Sequence, residues 1–391
     1  MNAGRPIAVY WFLYFTGLGV FFPYYALYLR ESAGLSGTEV GIVMASIRLI
    51  ALIAQPMWGN IADRTGARRT MLAFLTTATA VSQVGMWYAD GFTQLFLATC
   101  AMSVFSTAVL PISFSVAFAM LGGRGQHGFG YARVWGTVGF LIGVAAFPYI
   151  LEAYQRRFAI AGGSSGAGLE AMFALYAALA GLAAVSCWAL PRTDEMEVRA
   201  ARGDWRELLA NPAMVRLMIA SFLAYLFLQG PIEMFPLFIA DRGGDVDMLG
   251  RMWIAMLLLE IPLIALSGAA VQRLGARALL IVGTAAGGLR WIICIATADL
   301  TLLYAAQLLH GVVVAGLLIG SPLYLEKLVP ERLRSTAQGA MAMIGIGAGG
   351  LVSTVATGWL IDQTSIEVAY FAGGAGGLVL GISLRWMLPK V

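Results

Sequence analysis

A helix needs about 20 consecutive apolar residues to cross the ~30 Å hydrocarbon core of a bilayer, because no water is present there to satisfy a bare backbone. Runs of that length recur through this 391-residue chain, at residues 7–29, 38–60, 69–88, 92–120, 129–152, 168–190, 215–240, 247–270, 276–298, 300–325, 335–361 and 366–387. Barrel strands would instead alternate in short segments of ~10 residues, and these runs are continuous. A mean hydropathy of +0.80 with 12% charged residues excludes a set of water-soluble domains. The expected fold is therefore an all-α integral membrane protein with twelve transmembrane helices.

The basic residues orient such a chain, since cytoplasmic loops hold the excess of Lys and Arg. With both termini inside, seventeen of the 25 basic side chains fall on the cytoplasmic side, whereas Arg30, Arg156, Arg157, Arg242 and Arg251 face out. The net charge of +4 is read as a topology signal, with no nucleic acid implied. Behind the first run no small-residue cleavage site follows, so that run reads as an uncleaved anchor. Cys100, Cys187 and Cys294 each lie inside an apolar run without metal-ligand spacing, so no metal or redox cofactor is expected.

The longest polar stretch, Arg192 to Arg216, divides the chain into a first half at 1–190, a cytoplasmic linker at 191–214 and a second half at 215–391. The halves match at one place. Gly59-Asn-Ile-Ala-Asp-Arg-Thr-Gly-Ala-Arg68 follows the second run of the first half, and Gly268-Ala-Ala-Val-Gln-Arg-Leu-Gly-Ala-Arg277 follows the second run of the second half. Duplication of a six-helix unit accounts for both copies. The glycine-rich stretches lack the Lys and Ser/Thr of a phosphate-cradling loop, which disfavours ATP-driven transport. Gly345, Gly347, Gly349 and Gly350, with Gly373, Gly374, Gly376 and Gly377, suit close packing of the last two spans.

Ionisable groups inside spans are the most informative residues, because each costs roughly 2.5–3.5 kcal/mol at a helix centre. Here they are Arg48, Arg133, Glu233, Glu260, Arg290 and His310. The first half holds two arginines and no carboxylate, and an arginine in a low-dielectric cavity favours a bidentate anion. Arg48 and Arg133 are thus candidate ligands for a negatively charged solute. Glu233 and Glu260 are candidate proton carriers, with Arg290 as the partner that expels the proton and His310 as a relay or an orienting group. Each also has a plain structural reading as a buried pair or a satisfied core residue. The first span is crowded with aromatics, of which Tyr14 and Tyr25 are candidates to stack on a solute.

The loop Gly59–Arg68, followed by Arg69, resembles the signature of the major facilitator superfamily, and the paired copies sit where that superfamily has them. The resemblance implies two pseudo-symmetric six-helix bundles with alternating access. It also implies a gating loop of Gly59, Asp63, Arg64, Gly66 and Arg68 that latches the inner side. Gly130-Tyr-Ala-Arg133-Val-Trp-Gly136, Glu260, Arg290-Trp291 and Leu309-His310 resemble segments of the phenylpropionate permease family. More distantly they resemble the lactose permease family of proton symporters. In the latter an acidic residue pairs with the arginine matching Arg133; its place falls near Ser115, and the carboxylate one turn after the histidine is replaced by Val313. Both departures favour an organic anion over a disaccharide.

The expected function is proton-coupled uptake of a small organic anion, such as an aromatic monocarboxylic acid. Alternatives are a proton-coupled sugar or nucleoside symporter, a proton antiporter exporting drugs or metabolites, and a sensor or assembly factor without flux. No covalent chemistry and no cofactor beyond the proton gradient are expected. A monomer in the bacterial inner membrane, with cytoplasmic termini and a small-molecule substrate, completes the reading.

Overall fold

The computed structural model describes residues 4–121, 125–158, 166–191 and 205–390, with the side chains of 63, 121, 125–131, 205, 264–272, 332 and 335 outside that description. Most of the polar linker therefore lies outside the described residues; a short helix, Trp205–Ala210, closes it. Long helices, numbered in chain order, are α1 (Arg5–Phe21), α2 (Gly37–Thr65), α3 (Arg68–Trp87), α4 (Gly91–Leu121), α5 (Gly125–Arg157) and α6 (Ala171–Ser186). They continue as α7 (Pro212–Glu233), α8 (Val246–Leu274), α9 (Ala276–Ala296), α10 (Leu300–Val314), α11 (Gly350–Gln363) and α12 (Ile366–Met387). No strand occurs among the described residues.

Ten helical segments among the described residues are long and apolar enough to cross a membrane. The two long helices outside that set are α3 and α8. In α3 the apolar residues are diluted by hydroxyls, and Thr76, Thr77, Thr79 and Ser82 each donate back to the carbonyl four residues earlier, which satisfies them without water. In α8 the side chains of 264–272 lie outside the description. Large apolar side chains such as Val81, Leu258 and Val379 stay about two-thirds exposed, as lipid-facing residues do.

Helix starts follow ordinary capping chemistry. Asn211 accepts from the amides of Ala213 and Met214 with Pro212 at the first position, and Asp299 accepts from Thr301 and Leu302 at the start of α10. Prolines 56, 111, 148, 231 and 262 sit inside helices, a tolerated placement in lipid where neighbouring helices re-satisfy freed carbonyls. The two glycines at the eighth position of the repeat, Gly66 and Gly275, both adopt left-handed backbone, with φ of +66° and +81°. Each ends one helix and starts the next, which is the turning role that the duplicated loop requires.

By contacts the chain forms two compact units: the first comprises 1–35, 49–198 and 244–250, and the second 36–48, 199–243 and 251–391. Helix α2 thus contributes its first turns to the second unit and the remainder to the first. In the first unit α1 lies along α5 with minimal separation, because a side-chain carbon at Gly139 or Gly143 would collide with the carbonyls of Phe12 or Thr16. In the second unit the glycine runs read as spacers between α11 and α12 take their closest approaches from other helices. Gly349 and Gly373 press on Phe222 and Phe227 of α7, while Gly374 and Gly377 press on Gly288 of α9. Helices meet at the small residues because backbones can then approach to van der Waals contact, which compensates for the absence of a hydrophobic driving force in lipid.

Replacing Gly288 with Val is expected to force α9 from α12, since an added carbon would lie 2.6 Å from the carbonyl oxygen of Gly374. Overpacking of this kind costs about 1–3 kcal/mol or more. The check is the thermal unfolding midpoint of the purified variant, which should fall below that of wild type.

Candidate functional site

In the second unit, α7, α8, α9 and α10 surround a cavity of about 350 Å³. Its walls are mostly aliphatic, from Leu228, Ile232, Val313, Val314, Leu317 and Ile346, and its polar groups are Gln229, Glu260, Arg290 and His310. Tyr225 and Trp291 add aromatic surface. Gly311 explains how the polar groups come together: a side-chain carbon there would lie 2.7 Å from the Glu260 amide nitrogen, so α10 presses on the α8 backbone at that point. His310, next in sequence, is thereby set with Nε2 at 3.7 Å from Glu260 Oε2.

Arg290 is the buried charge of this cavity, 2% exposed. Its Nε and Nη2 donate to Gln307 Oε1 at 3.0 and 2.6 Å, Nη2 also approaches Met256 Sδ at 3.3 Å, and Nη1 lies 3.1 Å from His310 Nδ1. The guanidinium also stacks on Trp291, 4.1 Å from the ring centroid. Gln307 is held in turn by a bond from its amide to the Leu303 carbonyl at 2.9 Å. Because a guanidinium can only donate, His310 Nδ1 must accept, and the imidazole proton sits on Nε2, the nitrogen that faces Glu260. The sequence pairing of Glu260 with Arg290 is thus carried through His310.

A second constellation adjoins the cavity. Arg48, from the part of α2 that packs in this unit, forms an ion pair with Glu233 at the end of α7, and Nη1 of Arg48 lies 3.4 Å from Thr354 Oγ1. Gln229, one turn before Glu233, donates to the same carboxylate oxygen at 2.9 Å. The Glu233 side chain is 3% exposed. Gly350 leaves the space they occupy, since a side-chain carbon there would lie 3.0 Å from Arg48 Nε and 3.3 Å from Gln229 Cγ. The balance of charge differs here from the sequence reading, which left Arg48 without a carboxylate: Glu233, 185 residues away in the chain, is beside it.

The remaining candidates lie in the first unit. Arg133 packs its guanidinium over Phe15 at 4.3 Å, in space left by Gly136. Tyr14 donates to the Ser106 carbonyl at 3.4 Å and stacks on Tyr10; Tyr25 shares a 2.5 Å hydrogen bond with Thr99. Both tyrosines are buried, which is the packing role set beside the stacking one for this aromatic span. Ser115 is half-buried on α4, whereas Ser113 receives the Trp11 indole at 3.0 Å. In the loop, Gly59 has open space around it, Gly66 makes the left-handed turn and Arg64 and Arg68 flank that turn. The Asp63 side chain lies outside the described residues. Arg69, next to the motif, donates to the Trp188 carbonyl at 3.0 Å and lies over its ring.

Membrane-length helices around a cavity with a buried arginine beside a half-buried histidine and glutamate suit a carrier of small solutes. The chain belongs to the MFS_1 like family, whose profile matches residues 5–372, and so to the major facilitator transporters. It is 30% identical over 370 residues to the maltose permease of Geobacillus stearothermophilus, covering 93% of this chain and 89% of that one. It is 23% identical over 318 residues to the probable 3-phenylpropionic acid transporter of Escherichia coli (strain K12), 79% of each chain. The crystal structure of the nucleoside transporter NupG matches 100% of both chains at a TM-score of 0.85 and 18% identity, a likeness of fold. The family and these relatives are transporters, and the protein is not an enzyme.

Sequence reading did not single out Gln229 or Gln307, and it quoted Trp291 only beside Arg290, without a role. The glutamines carried a signal in their spacing, four residues before Glu233 and three before His310, which places each on the same helix face as the charged residue. Gln307→Leu should strip the acceptor from two Arg290 donors and lower stability by about 1–3 kcal/mol. The measurement is the unfolding midpoint, with Ser115→Ala as a comparison expected to stay near wild type.

Proposed function

We propose that the protein is a proton-coupled symporter that takes up a small amphipathic organic monoanion, such as an aromatic monocarboxylic acid, by alternating access. The observation that carries this reading is Arg290: a permanent cation, buried at one end of an aliphatic cavity, whose hydrogen-bond partners Gln307, His310 and Met256 are neutral groups while Glu260 stands beyond the imidazole. A buried charge wants a counter-ion, and a solute carboxylate against Arg290 would supply one while its apolar body filled the rest of the space. The anion site is thereby assigned to Arg290 in place of Arg48, which Glu233 already neutralises.

Glu260 is the proton carrier in this scheme. His310 holds its own proton on Nε2 and spends Nδ1 on Arg290, so it orients the pair without taking up a proton itself. Protonation of Glu260 removes the negative charge nearest the Arg290–His310 pair and leaves the arginine field for the incoming carboxylate. Release reverses the order: the anion leaves, Glu260 loses its proton, and the carboxylate again balances Arg290 through the imidazole. Loading is thus favoured on the acidic side of the membrane and release on the alkaline side.

The whole chain is read as twelve spans in two six-helix halves, 1–190 and 215–391, joined by the 191–214 linker. Both termini face the cytoplasm of a cell with this protein as a monomer in its inner membrane, and no nucleic acid takes part. Supporting the orientation is the excess of basic residues on the proposed inner side, including Arg64, Arg68, Arg273 and Arg277 in the two repeated loops.

A second reading, symport of a neutral sugar or nucleoside, is favoured by the neutral Arg48–Glu233 pair and by the 30% identity to a maltose permease. Counterflow in proteoliposomes separates them: 3-phenylpropionate is expected to exchange, and exchange of maltose or uridine with none of the acid would overturn the anion assignment. Glu260→Gln should abolish accumulation driven by an inward proton gradient while counterflow persists. Undiminished gradient-driven uptake in that variant would remove Glu260 from the coupling step, and accumulation only under the opposite gradient would make the protein an exporter.

A further inference from the structure

Gln229 lines the 350 Å³ cavity and also donates to Glu233 of the Arg48–Glu233 pair. Arg48 Nη2 and Gln229 Nε2 both donate to the same Glu233 oxygen, Oε1. The grip of this oxygen on Arg48 thus depends on a geometry that Gln229 shares. Arg48 in turn ends the segment 36–48, which packs in this unit through Gly37 and Gly41 against Gly358 and Thr354 of α11. The same segment is capped by Asp362, which accepts from the amides of Gly37 and Thr38, each at 2.7 Å, and from the Thr38 hydroxyl at 2.6 Å.

We infer that Gln229 is the positioning residue that couples occupancy of the cavity to the hold of the second unit on the first turns of α2. This rests on the reading of the cavity as the solute site. The carboxamide is one rigid planar group, so a polar solute atom that turns it toward the cavity moves Nε2 away from Glu233. When the amide turns to the solute, Glu233 keeps only Arg48, and the segment 36–48 is released more readily. Gly350 is part of the device: without a side chain it lets Arg48 and Gln229 converge, and any larger residue would push on both.

Hydrogen exchange of the amides of residues 38–48 in lipid nanodiscs tests this with and without solute. Gln229→Met retains the length of the side chain and loses the donor. Without solute it should raise exchange in that segment about tenfold, as expected for loss of one hydrogen bond to a charged group, and leave the amides of α1 and α12 unchanged. In wild type, 3-phenylpropionate or maltose, whichever is transported, should raise exchange in the same segment, and Gln229→Met should abolish that response. Exchange in Gln229→Met within twofold of wild type, or raised equally throughout the chain, overturns the coupling role. Should Gln229→Met fail to fold, Gly350→Ala provides the same local test by displacing both Arg48 and Gln229. If wild type transports neither probe, the solute assignment fails, while the solute-free exchange still decides whether Gln229 holds the pair.

Discussion

Arg290 is a permanent cation enclosed by four helices, and much of the second unit is arranged around tolerating it. Gln307 turns its oxygen to two guanidinium donors, His310 commits one ring nitrogen, and Trp291 presents its face. These neutral groups disperse the charge without cancelling it, which is the condition under which a buried cation stays available to an anion. Replacing them with a directly paired carboxylate would give a quieter core and leave the cavity without attraction for a negatively charged solute.

That arrangement is possible only because backbones approach closely at residues with no side chain. Gly311 brings α10 onto the α8 backbone at Glu260, Gly287 receives Leu228, and Gly350 makes room for Arg48 and Gln229. In lipid, helices gain nothing by burying leucine against leucine, so the positions of small residues decide which faces meet. The polar groups are therefore positioned by glycines on their own or on facing helices, and the chemistry of the cavity follows from the packing.

Much of the architecture was legible in the chain. Apolar length indicated membrane helices, and both copies of the duplicated loop's eighth glycine proved to be left-handed turns, as a short helix-to-helix connection demands. The ionisable residues at bilayer depth were all visible, and Glu260, Arg290 and His310 do meet around one cavity. Their pairing was not visible. The anion assignment to Arg48 or Arg133 rested on counting charges within each half, but α2 contributes its first turns to the second unit, where Glu233 meets Arg48. The glycine runs suited close packing of the last two spans, but the helices they meet, α7 and α9 with Arg48 of α2 at Gly350, were not visible.

The amino-acid order alone determined that the chain must satisfy its backbone within helices, that its helices are membrane-length, and which few side chains carry charge into the apolar interior. These are local properties, set by composition over a window of 20 residues or by a motif of ten. Only the tertiary structure decided which charge faces which, that Arg290 reaches Glu260 through an imidazole, and that Gln229 touches both the cavity and an ion pair. Those depend on the rotation and approach of helices far apart in the chain, and hydrophobic periodicity does not specify either when a helix is apolar on nearly every side.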